Sequence, residues 1–84
     1  MKILIVDDEP LARKRMLGLL QDDVMSEFNP EIIGEANNGE EGLSMALRLR
    51  PDVILLDIRM PGLDGLQVAR HLSSMGESPP IIFT

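Results

Sequence analysis

Two stretches of the chain are aliphatic at every position, and both stop in acids. Ile3-Leu4-Ile5-Val6 runs into Asp7-Asp8-Glu9, and Val53-Ile54-Leu55-Leu56 runs into Asp57. A short apolar run without alternation is the pattern of a strand buried on both faces of a parallel sheet. Elsewhere the spacing turns helical. Pro10 suits the first turn of a helix, where its missing N–H costs nothing, and Ala12, Met16, Leu19 and Leu20 give that helix an apolar stripe. Glu31-Ile32-Ile33-Gly34-Glu35-Ala36 reads as a weaker strand nearer a sheet edge. Asn37-Asn38-Gly39 is a turn in which Asn38 caps a second helix. Leu43, Ala46 and Leu47 form the buried face of that helix, and Pro51 stops it. A loop with Pro61, Gly62, Asp64 and Gly65 follows Asp57. It leads into a third helix from about Leu66 to His71 or beyond, with Leu66, Ala69 and Leu72 inward. Gly76 and Ser78-Pro79-Pro80 break the chain before a last strand, Ile81-Ile82-Phe83-Thr84.

The order βαβαβαβ calls for an α/β fold, a parallel sheet with right-handed crossovers and helices on both faces. The doubly wound, flavodoxin-like strand order 2-1-3-4 puts the first and third strands side by side at the switch point. Ligands of such sheets sit beyond the carboxyl ends of the strands at that point. Asp7 and Asp8 end the first strand, Asp57 the third and Thr84 the fourth, so the polar residues fall where the architecture predicts a site.

Composition narrows the chemistry. The 84 residues allow one small unit, 44% of them hydrophobic, with only two Phe and no Tyr or Trp, so Leu, Ile, Val, Ala and Met must build the core. Eight basic against fourteen acidic residues leave a net charge of -6, which disfavours nucleic acid as a partner of this segment and leaves a hard cation open. The absence of Cys excludes disulfides, thiol catalysis and Cys-based zinc sites and fits a cytosolic protein. The run Ile3–Val6 is too short for a signal peptide or a membrane span.

Three carboxylates in one crevice repel each other unless something positive joins them. Mg²⁺ takes a few carboxylates, keeps several waters and accepts phosphate oxygens. A carboxylate beside it can act as a nucleophile toward phosphorus, and the cation offsets the charge of a transferring phosphoryl group. The Thr84 hydroxyl could then hydrogen-bond a phosphate oxygen. Against this stand plainer readings. A single Asp after a strand is ordinarily a turn former or helix cap, Asp7 and Asp8 could complement the first helix dipole, and Thr84 could be an ordinary strand residue. The coincidence of two strong strands ending in acids at one switch point favours the metal–phosphate site. His71, the only His, reads as an exposed helix residue and the six Met as gap fillers. Arg13, Lys14, Arg15, Arg48 and Arg50 read as solvated helix faces. No glycine pattern matches a nucleotide-binding motif.

The run Ile3-Leu4-Ile5-Val6-Asp7-Asp8-Glu9-Pro10, with Pro51-Asp52-Val53-Ile54-Leu55-Leu56-Asp57-Ile58-Arg59-Met60-Pro61-Gly62-Leu63-Asp64-Gly65, closely resembles the CheY-like receiver domains of two-component response regulators. The resemblance spans the chain in order and spacing. It implies that Asp57 is phosphorylated by a sensor histidine kinase in a Mg²⁺-dependent way. Asp7, Asp8 and Asp57 would hold the metal together with the backbone carbonyl of Arg59, and Thr84 matches the family's switch Thr/Ser. The start Asp8-Glu9-Pro10-Leu11-Ala12-Arg13 and the loop Ile58–Gly65 resemble most the regulators with a LytTR-type DNA-binding output domain. That implies a cytoplasmic transcriptional regulator as the parent protein, with DNA binding left to the output domain and no membrane contact. A complete receiver continues past Thr84 with a helix, a fifth strand ending in Lys and a final helix, so residues 1–84 read as a partial receiver domain. Without those elements the fourth strand would keep an open edge, and self-association through paired edges or swapped elements is expected.

Two rivals stand beside this reading. An aspartate-nucleophile phosphatase would carry a second Asp two residues after the nucleophile, where this chain has Arg59, so an enzyme is not expected. A structural or interaction fragment would keep the scaffold and carry no phosphate chemistry.

Overall fold

The two aliphatic runs lie side by side in the middle of a parallel sheet, as their unbroken apolar pattern predicts. The computed structural model describes residues 1–22, 27–76 and 78–84. Strands β1 (Lys2–Val6), β2 (Glu31–Ala36), β3 (Val53–Leu56) and β4 (Ile81–Phe83) alternate with helices α1 (Pro10–Leu20), α2 (Gly39–Leu49) and α3 (Gly65–Ser74). All strand pairs are parallel and the order is β2-β1-β3-β4, the doubly wound arrangement expected from the sequence. Ile3–Val6 pairs residue for residue with Val53–Leu56. Both runs therefore end level, and the acids that follow them emerge side by side. Asp7 N–H donates to the Ala36 carbonyl at 3.0 Å and Asp57 N–H to the Val6 carbonyl at 2.9 Å, carrying the ladder one residue past the strands.

Alternation along the strands sorts the core into two faces. Leu4, Val6, Ile54 and Leu56 pack against Ala46 of α2, Val68 and Leu72 of α3, and Met60 from the loop after β3. Ile3, Ile5 and Val53 face the other way, toward Met16, Leu17 and Leu20 of α1.

Each helix exists where the sequence places it, and Met16 and Leu20 of α1, Leu43 and Ala46 of α2, and Ala69 and Leu72 of α3 pack inward as expected, whereas one leucine of each expected stripe does not. Leu19, Leu47 and Leu66 were expected inward and are 67%, 47% and 46% exposed. The stripe of α1 runs through Met16, Leu17 and Leu20, none fully buried. In α2 the buried residues are Gly39, Gly42 and Ala46, and in α3 they are Gly65, Val68 and Leu72. In α2 and α3 small residues let the helices approach the sheet and the loop closely, which turns the neighbouring Leu47 and Leu66 outward. A Cβ on Gly42 would lie 2.7 Å from Val6 Cγ1. The α3 helix also begins one residue earlier than expected, because Asp64 and Gln67 form a reciprocal capping box. Asn38 caps α2 as expected, accepting from the Glu41 N–H at 2.7 Å. The last strand ends at Phe83, although the Thr84 N–H still donates to the Leu56 carbonyl at 3.0 Å. Of the methionines, Met60 is buried, Met16 and Met45 are half-buried, and Met1 and Met75 are exposed; Met25 lies outside the described residues. Among the described residues no helix is long and apolar enough to cross a membrane.

Candidate functional site

The level ends of β1 and β3 place Asp7, Asp8 and Asp57 in one notch. An oxygen from each carboxylate lies within 4.8 Å of the other two. Asp7 is buried, with 5% of its surface exposed, and Asp8 and Asp57 are half-buried at the rim. Short local hydrogen bonds fix two of the three. Asp7 Oδ1 accepts the Glu9 N–H at 3.0 Å, and Asp57 Oδ1 accepts the Arg59 N–H at 3.2 Å. Both are the Asx-type turns that strand-ending aspartates favour, so the turn-forming role and membership of the cluster coexist in one residue.

Packing sets the Asp57 side. Gly65 is so close to the Asp57 carbonyl that a Cβ there would collide with it, and that Cβ would also lie 2.8 Å from Ile58 Cα. The Gly65 N–H donates to the Ile58 carbonyl at 3.0 Å. Met60, buried between, ties the same loop to the core. Gly39 at the start of α2 makes an equally close approach to the Leu63 carbonyl from the other side of the loop.

The electrostatics follow from the crowding. Burial raises the pKa of Asp57 above its ordinary value, and the charges of Asp7 and Asp8 and a side-chain hydrogen bond with Asp8 act in the same direction. The Arg59 N–H opposes them by stabilising the carboxylate. Three hard oxygen donors with no sulfur or imidazole among them form a set suited to Mg²⁺.

Arg59 meets the cluster through its N–H, and its side chain is exposed. Thr84 is exposed and anchored by its main chain beside Leu56, the residue before Asp57. His71, Lys14, Arg15, Arg48 and Arg50 are exposed as expected. Arg13 corrects the expectation of a solvated face. Its Nη1 donates to the Asp7 carbonyl at 2.6 Å and its Nε lies 3.5 Å from Glu35 Oε1. The signal was present, since 13, 16, 17 and 20 fall on one helical stripe; the charge concealed it. A groove of about 570 Å³ runs between the C-terminal ends of α2 and α3 past Leu47, Arg50, Leu72 and Met75 and shares no residue with the notch.

The chain is similar to known proteins in sequence and in fold. The sequence pattern of the response regulator receiver domain matches residues 3–84. The chain is 52% identical over 84 residues to the positive alginate biosynthesis regulatory protein of Pseudomonas aeruginosa, covering 99% of this chain and 32% of that protein. Among solved structures it is similar to the receiver domain of AraT, a response regulator from Geobacillus stearothermophilus. The TM-score is 0.80 at 38% identity, over 98% of this chain and 61% of that one. It is also similar to a chain of the CheX–CheY–BeF3–Mg²⁺ complex from Borrelia burgdorferi. There the TM-score is 0.82 at 25% identity, over 99% of this chain and 60% of that one. The chain thus spans about a third of the curated relative and about three fifths of the solved ones.

Proposed function

The chain belongs to the response regulator receiver family, and from that premise we propose that it is a phosphorylation-controlled signalling module with Asp57 as its phosphoacceptor. The observation that carries the proposal is the convergence of the Asp7, Asp8 and Asp57 carboxylates at the level ends of two paired strands. The Asp7, Asp8 and Asp57 carboxylates and the Arg59 carbonyl are the groups that would hold Mg²⁺. When bound, the cation supplies positive charge to an otherwise repulsive cluster and to the phosphoryl oxygens. An Asp57 carboxylate oxygen attacks the phosphorus of a phosphohistidine on a sensor kinase. The new P–O bond forms as the P–N bond breaks, and the histidine leaves with a proton from solvent. The Arg59 N–H orients the Asp57 carboxylate for that attack. The Thr84 hydroxyl turns toward the phosphoryl group and shifts the balance between inactive and active conformations. The beryllofluoride and Mg²⁺ of the Borrelia burgdorferi complex support a site of this kind.

The module is regulatory rather than enzymatic, since Arg59 stands where an aspartate-nucleophile phosphatase would carry its general acid. The likeness to the alginate regulator favours a cytoplasmic transcriptional regulator as the parent protein, with DNA contacted by another part of it. Titration with beryllofluoride and Mg²⁺, followed by the amide NMR signals of Asp57 and Thr84, tests the site. Mg²⁺-dependent shifts that disappear in Asp57→Asn are expected, and their absence from the wild-type chain refutes the proposal.

A further inference from the structure

Arg13 differs from its basic neighbours on α1. Lys14 and Arg15 are exposed, whereas 17% of the Arg13 side chain is exposed. Its Nε is buried and has no hydrogen-bond partner among the described residues, although Glu35 Oε1 lies 3.5 Å away. Drawing a guanidinium out of water is costly unless its charge is offset and its donors are used. Here Nη1 is used on the Asp7 main-chain carbonyl at 2.6 Å. The offsetting charge comes from Glu35, which pairs with Ile5 in the strand register one step before the Val6–Ala36 pair. Asp7 is held on its N–H side by Ala36 and on its carbonyl side by Arg13. Its carboxylate takes the Glu9 N–H, so both the main chain and the side chain of the turn are fixed. On a helix face that otherwise offers Met16, Leu17 and Leu20 to the sheet, an apolar residue would pack at lower cost and leave the Asp7 carbonyl unheld.

We propose that Arg13, braced on Glu35, is a positioning residue for the acidic notch, holding the Asp7–Asp8 turn so that both carboxylates face Asp57 at cation-binding separation. The inference rests on the reading of the notch as a Mg²⁺ site. Arg13 acts through the Asp7 main chain, as a partner behind the ligand.

The test is a Mg²⁺ titration of the full chain, read from the amide NMR signals of Asp8, Glu9 and Asp57, in wild type, Arg13→Met, Arg13→Lys and Glu35→Gln. Urea unfolding midpoints are measured in parallel without metal. Arg13→Met keeps the packing of the stem and removes both polar contacts, and its Mg²⁺ Kd is expected to rise about tenfold, the lower end for loss of a group behind a metal ligand. Arg13→Lys retains one donor and restores part of the affinity. Glu35→Gln weakens binding less than Arg13→Met does. If Arg13→Met does not fold, the other two variants decide: unchanged Kd in both overturns the proposal, and weakened binding in both supports it. An Arg13→Met chain with a lowered unfolding midpoint and wild-type Mg²⁺ affinity also overturns it, assigning Arg13 to stability alone. A wild-type chain that gives no response to Mg²⁺ overturns the metal site itself. That result is distinct from a binding wild type whose variants bind equally well.

Discussion

The two faces of the sheet are covered unequally, and the candidate site is built by different means over each. On the α2–α3 face nine buried residues form one cluster, whereas on the α1 face three do and α1 contributes no buried residue of its own. The loop that presents Asp57 belongs to the dense face. Met60 is in its core, and Gly65 and Gly39 grip the loop through contacts too close for a side chain. The turn that presents Asp7 and Asp8 opens into α1 over the sparser face, and polar contacts from Arg13, Ala36 and Glu9 fix it. Close packing tolerates little change of volume, while a polar brace is sensitive to the loss of one donor. The two halves of the site should therefore fail differently.

The largest expected effect contrasts one leucine on each face. Leu72→Ala removes a side chain that is 3% exposed in the dense cluster and should cost about 3 kcal/mol. Leu20→Ala, at a half-buried position on α1, should cost about 1 kcal/mol, because less area is returned to water. Urea denaturation measures both, and equal losses would abolish the distinction between the faces.

Two glycines give the next contrast. Gly65→Ala drives a methyl group against the Asp57 carbonyl and Ile58 Cα, so a loss of about 2 kcal/mol from overpacking should come with weaker Mg²⁺ binding. A Cβ added at Gly18 of α1 would meet nothing among the described residues within 4 Å, and Gly18→Ala should raise stability by about 0.5–1 kcal/mol through helix propensity with unchanged Mg²⁺ affinity. Helix starts repeat the pattern at smaller size. Asp64→Ala removes the capping box of α3 and should lower stability by about 1 kcal/mol. Glu9→Ala, at the start of α1 where no side chain caps the helix, should change it little. Thermal unfolding of the two variants compares them directly.

The parts of this design that were legible in the sequence are those written in unbroken runs. Ile3–Val6 and Val53–Leu56 admit one orientation as central strands, and Asp7, Asp8 and Asp57 inherit their positions from the strand ends. Helix phase was less legible, because Leu19 beside Leu17 and Leu66 beside Val68 offer competing apolar stripes. In α2 and α3 the phase is set by Gly39, Gly42 and Gly65, whose contribution is the absence of a side chain and which hydrophobicity does not register. Arg13 departs from its reading as a solvated residue for the opposite reason. Its charge marked it as exposed, while its place on the stripe with Met16, Leu17 and Leu20 marked it as inward.

The last effect lies where the two halves meet, and its sign is the informative part. Burial and the Asp7 and Asp8 charges raise the Asp57 pKa in the folded chain above its ordinary value of 3.8. Between the unfolded and the folded pKa the native state binds more protons than the unfolded one, so metal-free stability falls as pH rises through that window and stays lower above it. Asp57→Asn removes this dependence. In a metal-free chain the variant should therefore unfold at a higher temperature than wild type at neutral pH, and the advantage should vanish as pH drops below the ordinary carboxylate value. Mg²⁺ should reverse the order, because binding at ten times Kd stabilises the wild-type fold by about 1.4 kcal/mol and benefits the variant less. Thermal unfolding across pH, with and without Mg²⁺, follows both changes. An Asp57→Asn chain less stable than wild type without metal at neutral pH would mean that the notch is not a repulsive cluster. A stabilisation by Mg²⁺ equal in the two chains would place the cation away from Asp57.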